Sequence, residues 1–198
     1  MIELPDRVRL PIAFDPEPLR AALARIDEEA WEPHFNTQQY AGDWSGVALR
    51  VGVGSPLALY PDPSRDDFAD TELLAAGPEL RAALARFECP LRTVRLLRLG
   101  PGATITDHRD HALSFAHGEA RLHVPILSGP AVTFRLDGAE VPMRPGECWY
   151  LDLTRTHRVH NAGDEPRVHL VVDCEVNAWL TAELLEGVGS GDTGAPIT

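Results

Sequence analysis

A mainly β fold of jelly-roll type, flanked by helices at its N-terminal side, is what this sequence predicts, and three observations predict it. Helix signals are concentrated in residues 1–88, whereas residues 89–176 divide into short strand-like runs. Turn clusters (PG, SGP, DG, RPG, AGDEP) separate those runs at roughly 8 to 12 residue spacing, the pattern of sandwiches, barrels and jelly rolls. At 198 residues, with 44% hydrophobic and 24% charged side chains, the chain fits one globular unit. A unit of that size buries roughly 70% of the surface its unfolded form exposes.

Taken in order, Asp15 followed by Pro16 and Glu17 opens a helix in N-cap fashion, and Leu19, Leu23, Ile26 and Ala30 recur at helical spacing. Residues 46–53, GVALRVGV, read as a strand, followed by the proline-rich loop SPLALYPDPSRDD. A second helix starts near Asp70 or Thr71 and runs through Leu74, Leu80, Leu84 and Phe87, with Gly77-Pro78 dividing it, because proline removes a helical donor and clashes with the preceding turn. The strand runs after it are RTVRLLRL, ATITDH, RLHVPIL, AVTFRL, AEVPM, ECWYLDL, HRVHNA and RVHLVVD. A closing helix is expected from Val176 to Glu186, then a flexible Gly, Ser and Thr rich tail over 187–198. Residues 1–186 are thus expected to form a single domain, with 1–88 a helical flank and 89–176 the jelly-roll core.

Composition excludes several function classes. All 18 basic residues are arginine, which removes lysine Schiff-base and P-loop chemistry and leaves Arg, His or backbone N–H groups to hold any anion. A formal charge of −12 argues against a nucleic-acid partner, since such affinity rests on cationic contacts. No apolar run approaches the ~18 residues of a membrane span, and MIELPDRVRL is unlike a signal peptide, so a cytoplasmic protein without a membrane partner is expected. Cys89, Cys148 and Cys174 form no CxxC pair and read as reduced core residues.

The chemistry concentrates in His108-Arg109-Asp110 and in His157, which lies 47 residues after Asp110. On an extended backbone His108 and Asp110 project from one face, and a second imidazole from a facing strand completes a two-histidine, one-carboxylate set. That set suits Fe(II) and leaves coordination positions for a chelating co-substrate and oxygen. Seven of the eight histidines lie in the β half, and His160 rivals His157 for the third place.

The blocks RLGPGATITDHRD, RLHVPI, MRPGECWYLD and THRVHNAGDEPRVHLVVD, in that order between Arg95 and Asp173, resemble the catalytic domain of the aspartyl/asparaginyl β-hydroxylase family of Fe(II)- and 2-oxoglutarate-dependent dioxygenases. The resemblance implies a double-stranded β-helix and the cofactor set of Fe(II), 2-oxoglutarate and O2. It makes His108, Asp110 and His157 the metal ligands, choosing His157 because the family pattern H-x-V-x-N places Asn161 at its close. It also sets Arg167, ten residues after His157, against the distal carboxylate of 2-oxoglutarate. His123 then helps hold the co-substrate, and Arg121, two residues earlier on the strand, faces the same cavity toward co-substrate or substrate. Arg95 is a candidate substrate contact, while Arg98, three residues on, faces away. Trp149 is assigned to the core, Asp152 and Asp173 to support, and His111 and His117 to a loop over the site.

The implied reaction is hydroxylation of an unactivated C–H bond in a carboxyl-bearing substrate of aspartyl, asparaginyl or proline type, either a small amino acid or a short peptide. The competing expectation is a non-redox, cupin-like module that binds or senses a small ligand. A cupin site more typically shows two histidines one residue apart and then a glutamate, from which HRD departs.

Overall fold

The computed structural model describes residues 3–191 apart from Pro63 and Ala112. The N-terminal portion contains β1 (Arg7–Ala13), α1 (Pro16–Leu23), β2 (Glu32–Pro33), β3 (Tyr40–Ala41), β4 (Trp44–Gly52), β5 (Phe68–Asp70), α2 (Glu72–Ala76) and α3 (Pro78–Leu84). Then come β6 (Leu91–Leu99), β7 (Thr104–His108), β8 (Glu119–Leu127), β9 (Val132–Leu136) and β10 (Ala139–Glu140). The chain closes with β11 (Glu147–Leu151), β12 (His157–Asn161), β13 (Arg167–Glu175) and α4 (Ala178–Gly189).

Local chemistry explains the helix ends. The Asp15 side chain accepts from the Glu17 N–H at 3.0 Å and a proline opens α1. The helix stops at Leu23, earlier than the periodicity suggests, and Asp27 adopts extended geometry before a 3-10 turn at Glu28–Ala30. Ile26 and Ala30 nevertheless pack on the same core as Leu19. Thr71 caps α2, and Gly77-Pro78 separates α2 from α3 as expected.

Two antiparallel sheets face each other. The larger has eight strands, ordered β1-β11-β8-β13-β6-β4-β2 with β5 on β4, and the smaller has five, ordered β10-β9-β12-β7-β3. The double-stranded β-helix expectation therefore holds, but residues 1–88 are more than a helical flank. Of these, β1, β2, β4 and β5 join the large sheet and β3 the small one. The signal in β1 is period two: Val8, Leu10 and Ile12 are buried while Pro11 and Ala13 are exposed.

Alternation on the three central strands positions the site. On β8, Ala120, Leu122, Val124 and Ile126 turn outward into an apolar core shared with the helices. On β13, Val168, Leu170, Val172 and Cys174 do the same, as do Val94 and Leu96 on β6. The intervening positions therefore face the small sheet, and they carry Arg95, Arg121, His123, Arg167, His169 and Asp173, all buried. A second apolar cluster between the sheets, including Leu97, Leu99, Phe134, Trp149 and Val171, closes the rest of that face. Cys89, Cys148 and Cys174 are buried and unbridged. Among the described residues no helix is long and apolar enough to cross a membrane.

The closing helix runs into the stretch 187–198 expected to be a tail. The Asn177 side chain caps α4 by accepting from the Leu180 N–H at 2.9 Å, and the helix continues to Gly189. Gly187 is buried against β1, where an added Cβ would lie 2.4 Å from the Arg9 carbonyl oxygen. Residues 192–198 lie outside the described residues.

Gly146 stands at the junction of β1 and the RPG turn with φ +85°, and a Cβ there would lie 2.3 Å from the Phe14 carbonyl oxygen. Its own carbonyl accepts from the Phe14 N–H at 2.8 Å. Gly146→Ala is expected to destabilise the fold by roughly 1–3 kcal/mol through left-handed strain and this clash, measured by urea unfolding. An unchanged midpoint would show that the junction relaxes freely.

Candidate metal centre and its cavity

The cross-strand register of β7 and β12 creates the centre. His157 pairs with His108 and Val159 with Ile105, so β7 carries one extra residue in the interval. Strict alternation would send Ile105 and His108 to opposite faces; the bulge turns both toward the interior. The two imidazoles stand with ring centroids 4.0 Å apart. Nδ1 of His108 donates to the Thr106 carbonyl at 2.8 Å, and Nδ1 of His157 donates to the Arg155 carbonyl at 3.0 Å. A carbonyl only accepts, so each ring carries its proton on Nδ1 and keeps the Nε2 lone pair free.

Asp110 reaches the histidines differently from the extended-strand expectation, because β7 ends at His108. Its backbone N–H donates to the Leu153 carbonyl at 2.8 Å, and its Oδ2 accepts from Arg121 at 2.6 Å. Oδ1 is left 3.9 Å from His108 Nε2. One ligand atom each from His108, Asp110 and His157 lie within 4.8 Å of one another. Burial raises the Asp110 pKa, but Arg121 and the two histidines outweigh it and hold the carboxyl below its usual range. Burial, aided by His108, lowers His157 to about 4, so its ring is neutral at physiological pH.

His160 does not join this group. Three residues along β12, its Nδ1 lies 2.7 Å from the Thr104 hydroxyl. Asn161 latches the strand end by donating to the carbonyls of Leu99, Gly100 and Glu165.

The inner face of the large sheet supplies the surrounding charge. Asp173 binds Arg121 through both carboxylate oxygens, at 2.6 and 3.0 Å, and also pairs with Arg95. Arg95 is 1% exposed and donates further to the Leu59 carbonyl at 3.1 Å; burial lowers its pKa to about 10, leaving it charged. Arg98 faces away, binding Glu28 and lying over the Trp31 ring.

Arg167 is unlike the others: it is 3% exposed and, among the described residues, has no carboxylate partner. One nitrogen donates to His169 Nδ1 at 2.8 Å, while its Nε has no partner. Burial alone brings it to about 9, so a positive charge remains there at neutral pH. Both ring nitrogens of His123 and Nε2 of His169 are likewise buried without partners. Buried polar groups are rarely left so, and their clustering marks a place for an anion.

The histidine and aspartate group, Arg95, Arg121, His123 and Arg167 share one cavity of about 370 Å³. Its remaining wall comes from the N-terminal half, through His34, Trp44 and Tyr60, none of which the motif spacing singles out. The available signal was His34, the single histidine outside the β half. Of the loop histidines, His111 lines the cavity and His117 bonds Ser114 beside it. Trp149 lies in the inter-sheet core and donates to Glu147, and Asp152 caps the turn at Thr154.

Fold and site together define a jelly-roll protein with a facial two-histidine, one-carboxylate group beneath an arginine-lined cavity. The sequence model of the aspartyl/asparaginyl beta-hydroxylase family matches residues 19–176, and the chain belongs to that family. The L-proline cis-4-hydroxylase of Rhizobium meliloti (strain 1021) is 24% identical over 170 residues, 85% of this chain; the chain spans 60% of that relative's length. Two solved structures share the fold. The non-heme alpha ketoglutarate dependent carbocyclase SnoK from nogalamycin biosynthesis has a TM-score of 0.56 at 16% identity, covering 86% of this chain and 80% of that one. A Pseudomonas putida prolyl-4-hydroxylase has a TM-score of 0.50 at 18% identity, covering 88% and 94% respectively.

Two outcomes are expected from the buried charges. Asp173→Asn leaves Arg95 and Arg121 without their shared counter-ion and is expected to cost about 3–5 kcal/mol; guanidinium unfolding measures this, and a loss below ~1 kcal/mol would overturn it. Burial, then the charges of Arg95 and Arg121, lowers His34 from 6.5 to about 3, and burial lowers His123 and His169 well below 6.5. The unfolded chain binds these protons first, so the stability gained from neutral rings is full above pH 6.5 and is lost as pH falls toward about 3. Melting temperatures taken from pH 7 down to 4 should fall, with a shallower fall in His34→Phe.

Proposed function

We propose that this chain is an Fe(II)- and 2-oxoglutarate-dependent dioxygenase that hydroxylates an unactivated C–H bond of a small carboxyl-bearing substrate, an amino acid or a residue of a short peptide. The observation that carries the reading is the buried, carboxylate-free guanidinium of Arg167 in the cavity that holds His108, Asp110 and His157.

The donor set fits ferrous iron. It offers two imidazoles whose Nδ1 atoms are tied to backbone carbonyls and an ionised carboxylate, a mixture that suits iron, whereas structural zinc sites are typically closed by cysteines. His108, Asp110 and His157 would hold the metal, with Arg121 orienting the carboxylate and two backbone carbonyls orienting the rings. Bound there with the oxo acid and O2, iron supplies the oxidising power that replaces a C–H hydrogen by hydroxyl.

The remaining work belongs to the chain. Arg167 grips the distal carboxylate of 2-oxoglutarate in planar, two-point fashion, and His169 keeps that guanidinium in place. His123 faces the co-substrate. Phe134, Leu153 and Val159 line the cavity beside the histidines and keep water from that wall. Arg95 and Arg121 face the substrate, whose carboxylate completes the charge balance. Around the metal group, the guanidiniums of Arg95, Arg121 and Arg167 stand against the carboxylates of Asp110 and Asp173, leaving one positive charge to be met once the dication and the dianionic co-substrate cancel. A cavity of about 370 Å³ suits a small substrate, in keeping with the proline named for the curated relative.

Anaerobic addition of Fe(II) and 2-oxoglutarate is expected to give a weak visible charge-transfer band, and air to give succinate stimulated by one member of an amino-acid and short-peptide panel. His108→Ala should abolish the band. Arg167→Leu should weaken 2-oxoglutarate at least tenfold, about 1.4 kcal/mol. A wild-type protein that loads iron but shows neither band nor succinate would sink the reading.

A further inference from the structure

We infer that His34 is a substrate-positioning, specificity-determining residue whose Nε2–H donates to a carbonyl or carboxylate oxygen of the substrate. The inference rests on the dioxygenase reading for the presence of a substrate, but its evidence is separate. The ring is held on both sides, stacked on Trp44 at 3.4 Å between centroids and 11° between planes, with Phe35 at 4.3 Å. The His34 backbone N–H also donates to the Trp44 carbonyl at 2.8 Å, which ties the segment to β4. Such a ring has little freedom to turn.

Its proton is placed as well as its plane. The Asn36 backbone N–H donates to His34 Nδ1 at 3.3 Å, so Nδ1 is the acceptor and Nε2 carries the hydrogen. The side chain lines the cavity, and among the described residues the ring's hydrogen bond is the one at Nδ1, which leaves the Nε2–H to the cavity. The stacked partner adds a second donor: Trp44 lines the same cavity, and its buried Nε1–H has no acceptor among the described residues. Two adjacent rings each offering an unmet N–H describe a place for an oxygen atom, because an indole supplies only a donor and His34 is held in its donor form.

The neighbours tell which oxygen. The charges acting on His34 are those of Arg95, Arg121, Asp110 and His108, whereas Arg167 acts on His123 and His169. By contact, His34 packs on Trp44 and Phe35 and not on the Arg167, His169 and His123 group given above to the co-substrate, so the oxygen it meets is assigned to the substrate. It is neutral, since burial and the two arginines keep it unprotonated, so it adds direction without adding charge.

The test uses the anaerobic Fe(II) and 2-oxoglutarate protein, with tryptophan fluorescence reporting binding of L-proline, L-aspartate, glycyl-L-proline and their C-terminal carboxamides. His34→Phe keeps an aromatic stack and removes the donor; His34→Gln restores an N–H. In His34→Phe, affinity for the acid or amide that binds wild type should drop about tenfold, hydroxylated product per succinate should fall, and 2-oxoglutarate affinity should stay within about twofold. His34→Gln should recover part of the loss. A carboxamide that binds like its acid assigns the oxygen to a carbonyl; an acid that alone binds assigns it to the carboxylate. The inference is overturned if His34→Phe binds and couples like wild type, if His34→Gln rescues nothing, if 2-oxoglutarate is lost in parallel, or if wild type takes up none of the probes. Loss of the charge-transfer band in wild type would instead sink the dioxygenase reading, while the fluorescence arms still report on His34.

Discussion

The carboxylate of Asp173 is the contact on which the interior depends. Two guanidinium groups, Arg95 and Arg121, lie buried on the inner face of the large sheet, and Asp173 binds both. Arg121 then spans from Asp173 to Asp110, so the position of the Asp110 carboxylate is set from a strand in the opposite sheet. Desolvation penalises each ion separately, and only the linked set offsets that penalty. A polar interior of this kind specifies one arrangement of its members, because any member displaced leaves a charge unmet.

The sheet that supports this set has two characters. Outward, β8, β13 and β6 present Leu, Val and Ala to the helices, and these strands are nearly continuous in buried residues. Inward, the same strands alternate into Arg, His and Asp. Apolar packing on one side thus holds rigid the backbone from which the polar side projects. The side chains of the centre stand on strands or directly beside a strand end, where neighbours on both sides limit their movement.

Much of this was legible in the sequence, for reasons that are physical. The turn clusters and the alternation in RLHVPIL and RVHLVVD gave the strands, and Asp15-Pro16 and Gly77-Pro78 gave the helix boundaries. His108, Asp110, His157 and Arg167 are singled out through the four blocks that resemble the family, since spacing alone leaves His160 as a rival to His157. What escaped were features fixed by tertiary pairing. β1 reads as a short apolar alternation that propensity alone cannot place, and its position at the edge of the large sheet comes from its partner β11. His34 and Trp44 are ten residues apart with no local periodicity, and only the pairing of β2 with β4 brings them face to face.

The bulge in β7 carries a consequence for how this molecule can change. His108 faces His157 because one residue is absorbed between Ile105 and His108. Ile105, on the same strand, packs in the inter-sheet core. Shortening the segment by a single residue would restore plain alternation, and that too would leave Ile105 and the imidazole on one face, opposite Val159 and His157. Spacing along the chain and the face a side chain occupies are therefore separable here: the odd interval between Ile105 and His108 serves one interior only because the strand takes up a residue between them.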